Sequence, residues 1–182
     1  MGWESTESIF PWMVTVRRAI HRHPELAYQE ARTAQLIMTE LDRLGISYRY
    51  DGVGSGVIGR LDGGSGPTVA VRADMDALPI HEATGLPFAS EIPGIMHACG
   101  HDAHTAMVLG AAALLRREPP PGQVLFVFQP AEEQDNGAQV VLASGALDGA
   151  DAIFGGHVGH QYCIGQIMVE AGAITAQTDS FV

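Results

Sequence analysis

The chain has 182 residues, of which 46% are hydrophobic and 17% charged, a composition typical of a globular protein with a sizeable core. Acidic residues outnumber basic ones 21 to 10, and the formal net charge of −11 argues against nucleic acids and membranes as partners. The sequence starts without a signal-peptide pattern and contains no apolar run of about 20 residues, so we expect a cytoplasmic protein.

Two amphipathic helices are predicted at the start of the chain. Residues 8–22 carry apolar side chains on one helical face, and Pro24 ends this helix because the residue before a proline disfavours the helical region. Residues 30–44 repeat the same apolar spacing. His21 and His23 flank the turn between the two helices, where we expect surface or capping side chains.

Short strands alternate with helices over the rest of the chain. The pattern predicts strands at 47–50, 57–61, 68–73, 123–129, 152–154 and 164–169. It predicts further helices at 102–117 and 137–144. This alternation indicates an α/β fold with a mainly parallel central sheet. Residues 77–100 form a long loop, and a loop of this length in a compact domain is usually functional.

The densest group of metal-binding side chains lies in a glycine-flanked loop before the 102–117 helix. Eight consecutive positions there contain three histidines, a cysteine and an aspartate: His97, Cys99, His101, Asp102 and His104. Imidazole, thiolate and carboxylate groups suit zinc, cobalt or manganese. The pattern therefore predicts a metal-binding loop that leads into a buried helix. The alternative is a polar loop whose histidines are incidental.

Acidic residues and one more histidine follow three of the predicted strands. In chain order these residues are Asp74, Asp76, Glu132, Glu133 and His157. Because sites in open α/β sheets lie outside the carboxyl ends of the strands, we expect these side chains to share one crevice with the loop. One carboxylate can then bind a metal ion while its neighbour transfers protons in a hydrolytic reaction. The alternative for the two adjacent glutamates is a solvated charge pair.

Four segments in this order resemble a known family. They are RADMDALP at 72–79, MHACGHDAHT at 96–105, FQPAEE at 128–133 and GHV at 156–158. Together they resemble the co-catalytic zinc metallopeptidase and aminoacylase family, in the branch of hippurate hydrolases, indole-acetyl-amino-acid hydrolases and N-acyl-amino-acid amidohydrolases. The resemblance implies a three-layer zinc-peptidase-like α/β catalytic domain. It also implies that two divalent ions (Zn, Mn or Co) activate a water that cleaves the amide of a small N-acyl amino acid.

The resemblance implies a role for each residue of the motifs. It implies four metal ligands, which are Cys99, His101, Glu133 and His157. It makes Glu132 the general base and Asp76 a catalytic-site aspartate that supports the metal centre without binding it. Three further residues lie beside these positions and are expected to orient the ligands through hydrogen bonds: Asp74, His97 and His104.

Members of this family are much longer than this chain. We therefore expect residues 1–170 to form the N-terminal part of the catalytic domain and 171–182 to start a crossover to a missing lid or dimerisation domain. The domain would be incomplete at its C-terminal half, which predicts reduced metal affinity, weak or absent hydrolysis, and a homo-oligomer formed through an exposed sheet edge. Two alternatives are a non-catalytic metal-binding fragment or pseudoenzyme, and a redox protein using Cys99 and Cys163, which lack a C-x-x-C spacing.

Overall fold

Helices and strands alternate along the chain as predicted. A computed structural model describes residues 3–134, 136–169 and 171–172. The helices are α1 (Trp3–Arg22), α2 (Ala31–Leu44), α3 (His101–Arg117) and α4 (Gly137–Ala143). The strands are β1 (Ser47–Arg49), β2 (Val57–Asp62), β3 (Thr68–Asp74), β4 (Gln123–Gln129) and β5 (Ala152–Gly155).

The five strands form one sheet in the order β1-β2-β4-β3-β5. β3 pairs in parallel with both β4 and β5, whereas β2 pairs antiparallel with β1 and β4. Four of the five strands therefore point the same way, and only β2 is reversed. The parallel register places Asp74 beside Gln129 and Arg72 beside Gly155. The carboxyl ends of β3, β4 and β5 consequently meet at the same end of the sheet.

Helices cover both faces of the sheet and give the predicted three-layer architecture. Alternate residues of β4 point to opposite faces, as the strand period requires. Phe126 and Phe128 are fully buried in the larger core, together with residues of α1, α2 and α3. Leu125 and Val127 lie in the smaller core with Val141 of α4. The larger core thus supports α3, the helix that follows the predicted metal loop.

A glutamate in the turn between α1 and α2 fixes the start of α2. The carboxylate of Glu25 accepts the backbone N–H groups of Arg32 and Thr33 at 2.9 and 2.8 Å. These groups belong to the first turn of α2 and have no acceptor within the helix. The carbonyl oxygen of Glu25 accepts the N–H of Ala77 at 2.8 Å. The same turn therefore holds the chain immediately after Asp76.

The prediction of a strand at 164–169 is wrong. Residues 164–169 pair with no strand among the described residues, and Ile164 and Val169 are almost entirely exposed. A local turn forms instead, in which the N–H of Cys163 bonds the side chain of Gln166 at 2.9 Å. Strand propensity measures how well a side chain fits a half-buried pleated surface, and no neighbouring strand supplies that surface here.

Two further expectations concern the ends of the chain and the membrane. The crossover predicted at 171–182 lies outside the described residues, except for residues 171 and 172. Among the described helices, none combines the length and the apolar character that a membrane crossing requires.

We expect Phe126→Ala to lower the free energy of unfolding by about 3–5 kcal/mol, because it removes a fully buried ring from the larger core and leaves a cavity. Urea denaturation followed by circular dichroism measures this change. The matched control is Phe10→Ala, since Phe10 is 62% exposed on α1. Equal losses for both variants would contradict the placement of the core.

Candidate metal centre

The predicted site residues converge at the carboxyl ends of the three parallel strands. Asp74 ends β3, the two glutamates at 132 and 133 follow β4, and His157 follows β5. The loop before α3 completes the site with Cys99 and His101. Gly100 between them has a φ of +90°, and a Cβ there would lie 2.4 Å from the side chain of Val158. Only glycine lets the loop turn this tightly against the segment after β5.

His101 lies at the centre of this group and is 1% exposed. Its Nδ1 lies 2.9 Å from the carbonyl oxygen of Asp76, which can only accept a hydrogen bond, so Nδ1 carries a proton. Its Nε2 lies 3.6 Å from Asp74 Oδ2, 3.8 Å from Glu132 Oε2 and 3.7 Å from Glu133 Oε1. The fixed tautomer and three surrounding carboxylates make Nε2 available to a cation.

Cys99 and His157 form the side of the site that faces solvent. Cys99 Sγ lies 3.7 Å from His157 Nε2. Burial raises the pKa of Cys99 to about 12, and the hydrogen bond and charge of Glu133 act in the same direction. Burial also lowers the pKa of His157, as does the charge of His104. A thiolate forms among these carboxylates only if a cation offsets their charge.

Asp74 links the buried interior of the site to the segment after β5. Its Oδ1 accepts the Nδ1–H of His104 at 2.6 Å, and its Oδ2 accepts a hydrogen bond from Arg72 at 2.8 Å. Burial alone would raise the pKa of Asp74, but the His104 hydrogen bond and the charges of His101 and Arg72 lower it to about 2. His104 Nε2 then accepts the N–H of Val158 at 3.0 Å, which fixes the backbone next to His157.

The two glutamates differ in their surroundings. The backbone N–H of Glu133 donates to Asp76 Oδ2 at 3.0 Å, and the Glu133 side chain is 21% exposed. The Glu132 side chain is 39% exposed, so it reaches both the centre and the solvent. Burial raises the pKa of Glu132, and the neighbouring charge of Glu133 raises it further. The solvated charge pair considered as an alternative is therefore wrong for Glu133, which is turned inward.

The donor atoms fit a metal ion. Cys99, His101 and Glu133 offer ligand atoms that all lie within 4.8 Å of one another. His101 Nε2 and Glu133 Oε1 are buried and have no hydrogen-bond partner among the described residues. Asp74, His101 and His104 form a second group of this kind, but both ring nitrogens of His104 already have hydrogen-bond partners. The thiol, imidazole and carboxylate of the first group match the ligands that zinc and cobalt prefer.

His97 stands apart from the other predicted site residues. It is 3% exposed, and neither ring nitrogen has a hydrogen-bond partner among the described residues. Burial lowers its pKa to about 4. The orienting hydrogen bonds that we expected from this residue are therefore absent from the described part of the chain, whereas His104 makes both of its own.

His21 is not the surface or capping residue that its sequence position suggested. It is 4% exposed, and its Nδ1 lies 2.9 Å from Asp102 Oδ2, which also accepts a hydrogen bond from Arg17 at 3.0 Å. Its Nε2 lies 3.3 Å from a carboxylate oxygen of Glu82 in the long loop. His21 thus connects α1 to the start of α3 and to the loop. The hydrogen bond to Asp102 raises the pKa of His21 despite its burial.

Sequence reasoning missed the structural role of Asp102. This carboxylate lies in the first turn of α3 directly after His101, and it is fully buried. An acidic residue in the first helical turn ahead of an apolar run was the available signal, since such positions favour negative charge. Its partners on α1 could not be identified from spacing, because 85 residues separate Arg17 from Asp102.

Comparison with known proteins matches this arrangement to one family and its solved structures. The sequence profile of Peptidase family M20/M25/M40 matches residues 70–177. The chain is 49% identical to "IAA-amino acid hydrolase ILR1-like 5" of Arabidopsis thaliana, over 96% of this chain and 41% of that protein. It is 46% identical to "N-acetylcysteine deacetylase" of Bacillus subtilis, over 93% of this chain and 46% of that protein.

A solved structure supports the same family match. The Bacillus subtilis YXEP protein, described as a dinuclear metal binding peptidase from the M20 family, superposes with a TM-score of 0.80 and 46% identity. The superposition covers 83% of this chain and 43% of that protein. The chain therefore spans less than half the length of the relatives that it matches.

We expect His21→Gln to remove part of the pH dependence of stability. The pKa of His21 is raised in the folded chain, so its contribution is complete below pH 6.5 and is lost as the pH rises through the higher folded value. Urea unfolding of metal-free chain at a series of pH values measures this loss. The control His81→Gln alters an exposed histidine, so the free energy of unfolding should change with pH as it does in the wild-type chain. An unchanged slope in His21→Gln would contradict the buried contact with Asp102.

Proposed function

Because this chain belongs to Peptidase family M20/M25/M40, we propose that its metal centre hydrolyses the amide bond of small N-acyl amino acids. The observation that carries this proposal is the buried Nε2 of His101, which faces three carboxylates and has no hydrogen-bond partner among the described residues. The names of two relatives, for IAA–amino acid and N-acetylcysteine substrates, support an acylated amino acid as the substrate class.

We propose that four side chains hold two divalent ions, and that these ions are Zn, Mn or Co. The ligands are Cys99, His101, Glu133 and His157. Divalent ions bound there would lower the pKa of a water molecule and polarise the amide carbonyl group. Asp76 supports two of the ligands, because its carbonyl oxygen holds His101 and its carboxylate holds the backbone of Glu133. Asp74 and His104 align the backbone beside His157.

Glu132 is the proposed general base. Its carboxylate is partly exposed and also lies 3.8 Å from His101 Nε2, so it can reach a water molecule at the centre and a substrate that enters from solvent. It takes a proton from the attacking water and returns that proton to the amide nitrogen of the leaving amino acid. Glu133 is turned further inward, where it can bind an ion while its neighbour transfers the proton.

The extent of the catalytic unit is also a proposal. We assign residues 1–170 to the N-terminal part of the catalytic domain and 171–182 to the start of a crossover. This assignment rests on relatives that are more than twice as long as this chain. A cytoplasmic location and the absence of nucleic-acid and membrane partners stay predictions from composition and charge. The expectation that this 182-residue chain turns over substrate weakly also stays a prediction.

We expect the purified chain to bind two equivalents of Mn, Co or Zn and to lose most of this metal in Cys99→Ser and Glu133→Gln, because each variant removes a ligand. Glu132→Gln should retain the metal but lower any hydrolysis of hippurate by about 10²–10⁴-fold, because an amide cannot accept the proton. Elemental analysis after dialysis and release of glycine from hippurate provide the two measurements.

The outcomes separate the proposed enzyme from its alternatives. Stoichiometric metal without hydrolysis would identify a non-catalytic metal-binding protein. A chain whose stability responds to reductant and not to chelator would identify the redox alternative. Metal content that is unaffected by Cys99→Ser and Glu133→Gln would contradict the ligand assignment. Hydrolysis at ordinary enzyme rates would contradict the expected weak turnover and leave the ligand assignment intact.

We also propose that the chain self-associates through β5. This strand pairs with β3 on one side only among the described residues, and Ile153 and Phe154 are 59% and 65% exposed. Unpaired N–H and C=O groups along such an edge can pair with a second chain. We expect Phe154→Lys to reduce concentration-dependent association in sedimentation velocity experiments. The control Phe10→Lys alters an equally exposed ring on α1 and should leave the association unchanged.

A further inference from the structure

The tight turn after β4 carries both glutamates of the metal centre and contains an unusual backbone conformation. Ala131 has a φ of +48°, in the left-handed region that residues with a Cβ rarely adopt. The residue is fully buried, so its neighbours must hold it there. The direction in which Glu132 and Glu133 leave the turn depends on this residue, because they are the next two residues in the chain.

Glu30 is the side chain that holds this turn from the segment before α2. It lies immediately before α2 and is 1% exposed. Its Oε1 accepts the backbone N–H of Ala131 at 2.8 Å, across 101 positions of sequence. Its side chain makes no capping hydrogen bond to α2, unlike the nearby Glu25. Its carboxylate therefore does not serve the helix that it precedes.

The burial of the Glu30 carboxylate is only partly offset by hydrogen bonds. Its Oε2 is buried and has no hydrogen-bond partner among the described residues. Burial raises the pKa of this carboxyl group, and hydrogen bonds from the backbone of Ala131, Glu30 and Tyr28 oppose that change. A buried acceptor without a partner is unfavourable, so the burial of Glu30 must be explained by an interaction other than local stabilisation. Among the described residues, the hydrogen bond of its side chain to the turn is the one from Ala131.

Two other contacts complete the support of the turn. The carbonyl oxygen of Ala131 accepts the N–H of Gly137 at 3.0 Å, and Asp76 accepts the N–H of Glu133 at 3.0 Å. A Cβ on Gly137 would lie 1.7 Å from the carbonyl oxygen of Pro130, so the start of α4 is pressed against the turn. The backbone before the glutamates is thus fixed by Glu30, and the backbone at Glu133 by Asp76.

We propose that Glu30 is a positioning residue for the metal centre: it keeps Ala131 in the left-handed conformation and thereby directs Glu132 and Glu133 towards His101. This inference rests on the proposed function, because it gives the two glutamates their roles as base and ligand. Glu30 itself contacts neither substrate nor metal. Replacing its acceptor should release Ala131 into an ordinary conformation and move both carboxylates away from the site.

The test compares four single variants and one double variant of the 182-residue chain. Glu30→Gln keeps an acceptor oxygen at the same reach, and Glu30→Met keeps the volume without the acceptor. Glu30→Asp keeps the charge but withdraws the acceptor by one methylene group. The matched control is Glu25→Ala, which also removes a glutamate that accepts backbone N–H groups at the start of α2. Two quantities are measured: the ¹³C chemical shifts of Ala131 in metal-free chain, and the affinity for Co²⁺ in competition with a chromophoric chelator.

We expect Glu30→Met and Glu30→Asp to shift the Ala131 signals and to weaken Co²⁺ binding by about tenfold or more, the effect typical of losing a residue that orients ligands. Glu30→Gln should leave both quantities at wild-type values. Adding Ala131→Gly to Glu30→Met should restore much of the affinity, because glycine adopts positive φ without a Cβ clash. Glu25→Ala should lower only the stability of the chain.

Several results would overturn the proposal. Unchanged Ala131 signals in Glu30→Asp would do so, even if Glu30→Met does not fold. A loss of Co²⁺ affinity in Glu25→Ala equal to that in the Glu30 variants would reduce the residue to a general structural role. If wild-type chain shows no Co²⁺ binding that depends on Cys99, the proposed metal centre is wrong. The Ala131 signals in metal-free chain still decide whether Glu30 holds the turn.

Discussion

The hydrogen bonds of Asp76 are the constraint on which the rest of the site depends. Its carbonyl oxygen accepts the Nδ1–H of His101, and its carboxylate accepts the backbone N–H of Glu133. One residue therefore fixes the orientation of an imidazole on α3 and of a carboxylate after β4. Because β3 and β4 are parallel neighbours, Asp76 reaches both partners directly from the end of its own strand. Without these two hydrogen bonds, the potential ligands would lie near one another but would not be held in a fixed relative orientation.

The same arrangement concentrates negative charge in a poorly solvated space. Carboxylates at 74, 132 and 133 surround one imidazole nitrogen. Burial raises the pKa of the Cys99 thiol that lies among them, and their combined charge raises it further. Arg72 and His104 offset part of this charge at Asp74. The potential ligand atoms of Cys99, His101 and Glu133 nevertheless lie within 4.8 Å of one another. Such a cluster is stable when a divalent ion occupies it, which couples the fold of this region to its chemistry.

The N-terminal helices contribute support and none of the proposed reacting groups. Through His21 and Asp102, α1 holds the first turn of α3 beside His101. The segment before α2 supplies Glu25, which fixes the chain after Asp76, and Glu30, which reaches the turn after β4. Three of these side chains are buried, namely His21, Asp102 and Glu30. These contacts show how residues of the first 30 positions support a site formed by residues far along the chain.

Much of the site could be predicted from sequence because its residues follow strands. The apolar run of β4 ends in two glutamates, and that of β3 ends in aspartates, so a parallel sheet had to bring them together. The strand predicted at 164–169 failed because propensity does not provide a neighbour to pair with. His21 was placed on the surface because a histidine near a turn gives no sign of a partner on another helix. His97 was expected to orient the ligands because it is close to them in sequence, although its ring makes no hydrogen bond among the described residues.

The sequence by itself determined the α/β alternation, the strand ends that carry the acids, and the residue types able to bind a metal. These features depend on local periodicity and on side-chain chemistry, and both follow directly from the order of the residues. Only the tertiary structure decided which nitrogen of each histidine is free, which glutamate is turned inward, and which carboxylate holds the turn at Ala131. Those outcomes depend on hydrogen bonds between residues far apart in the chain, and spacing in the sequence does not specify such contacts.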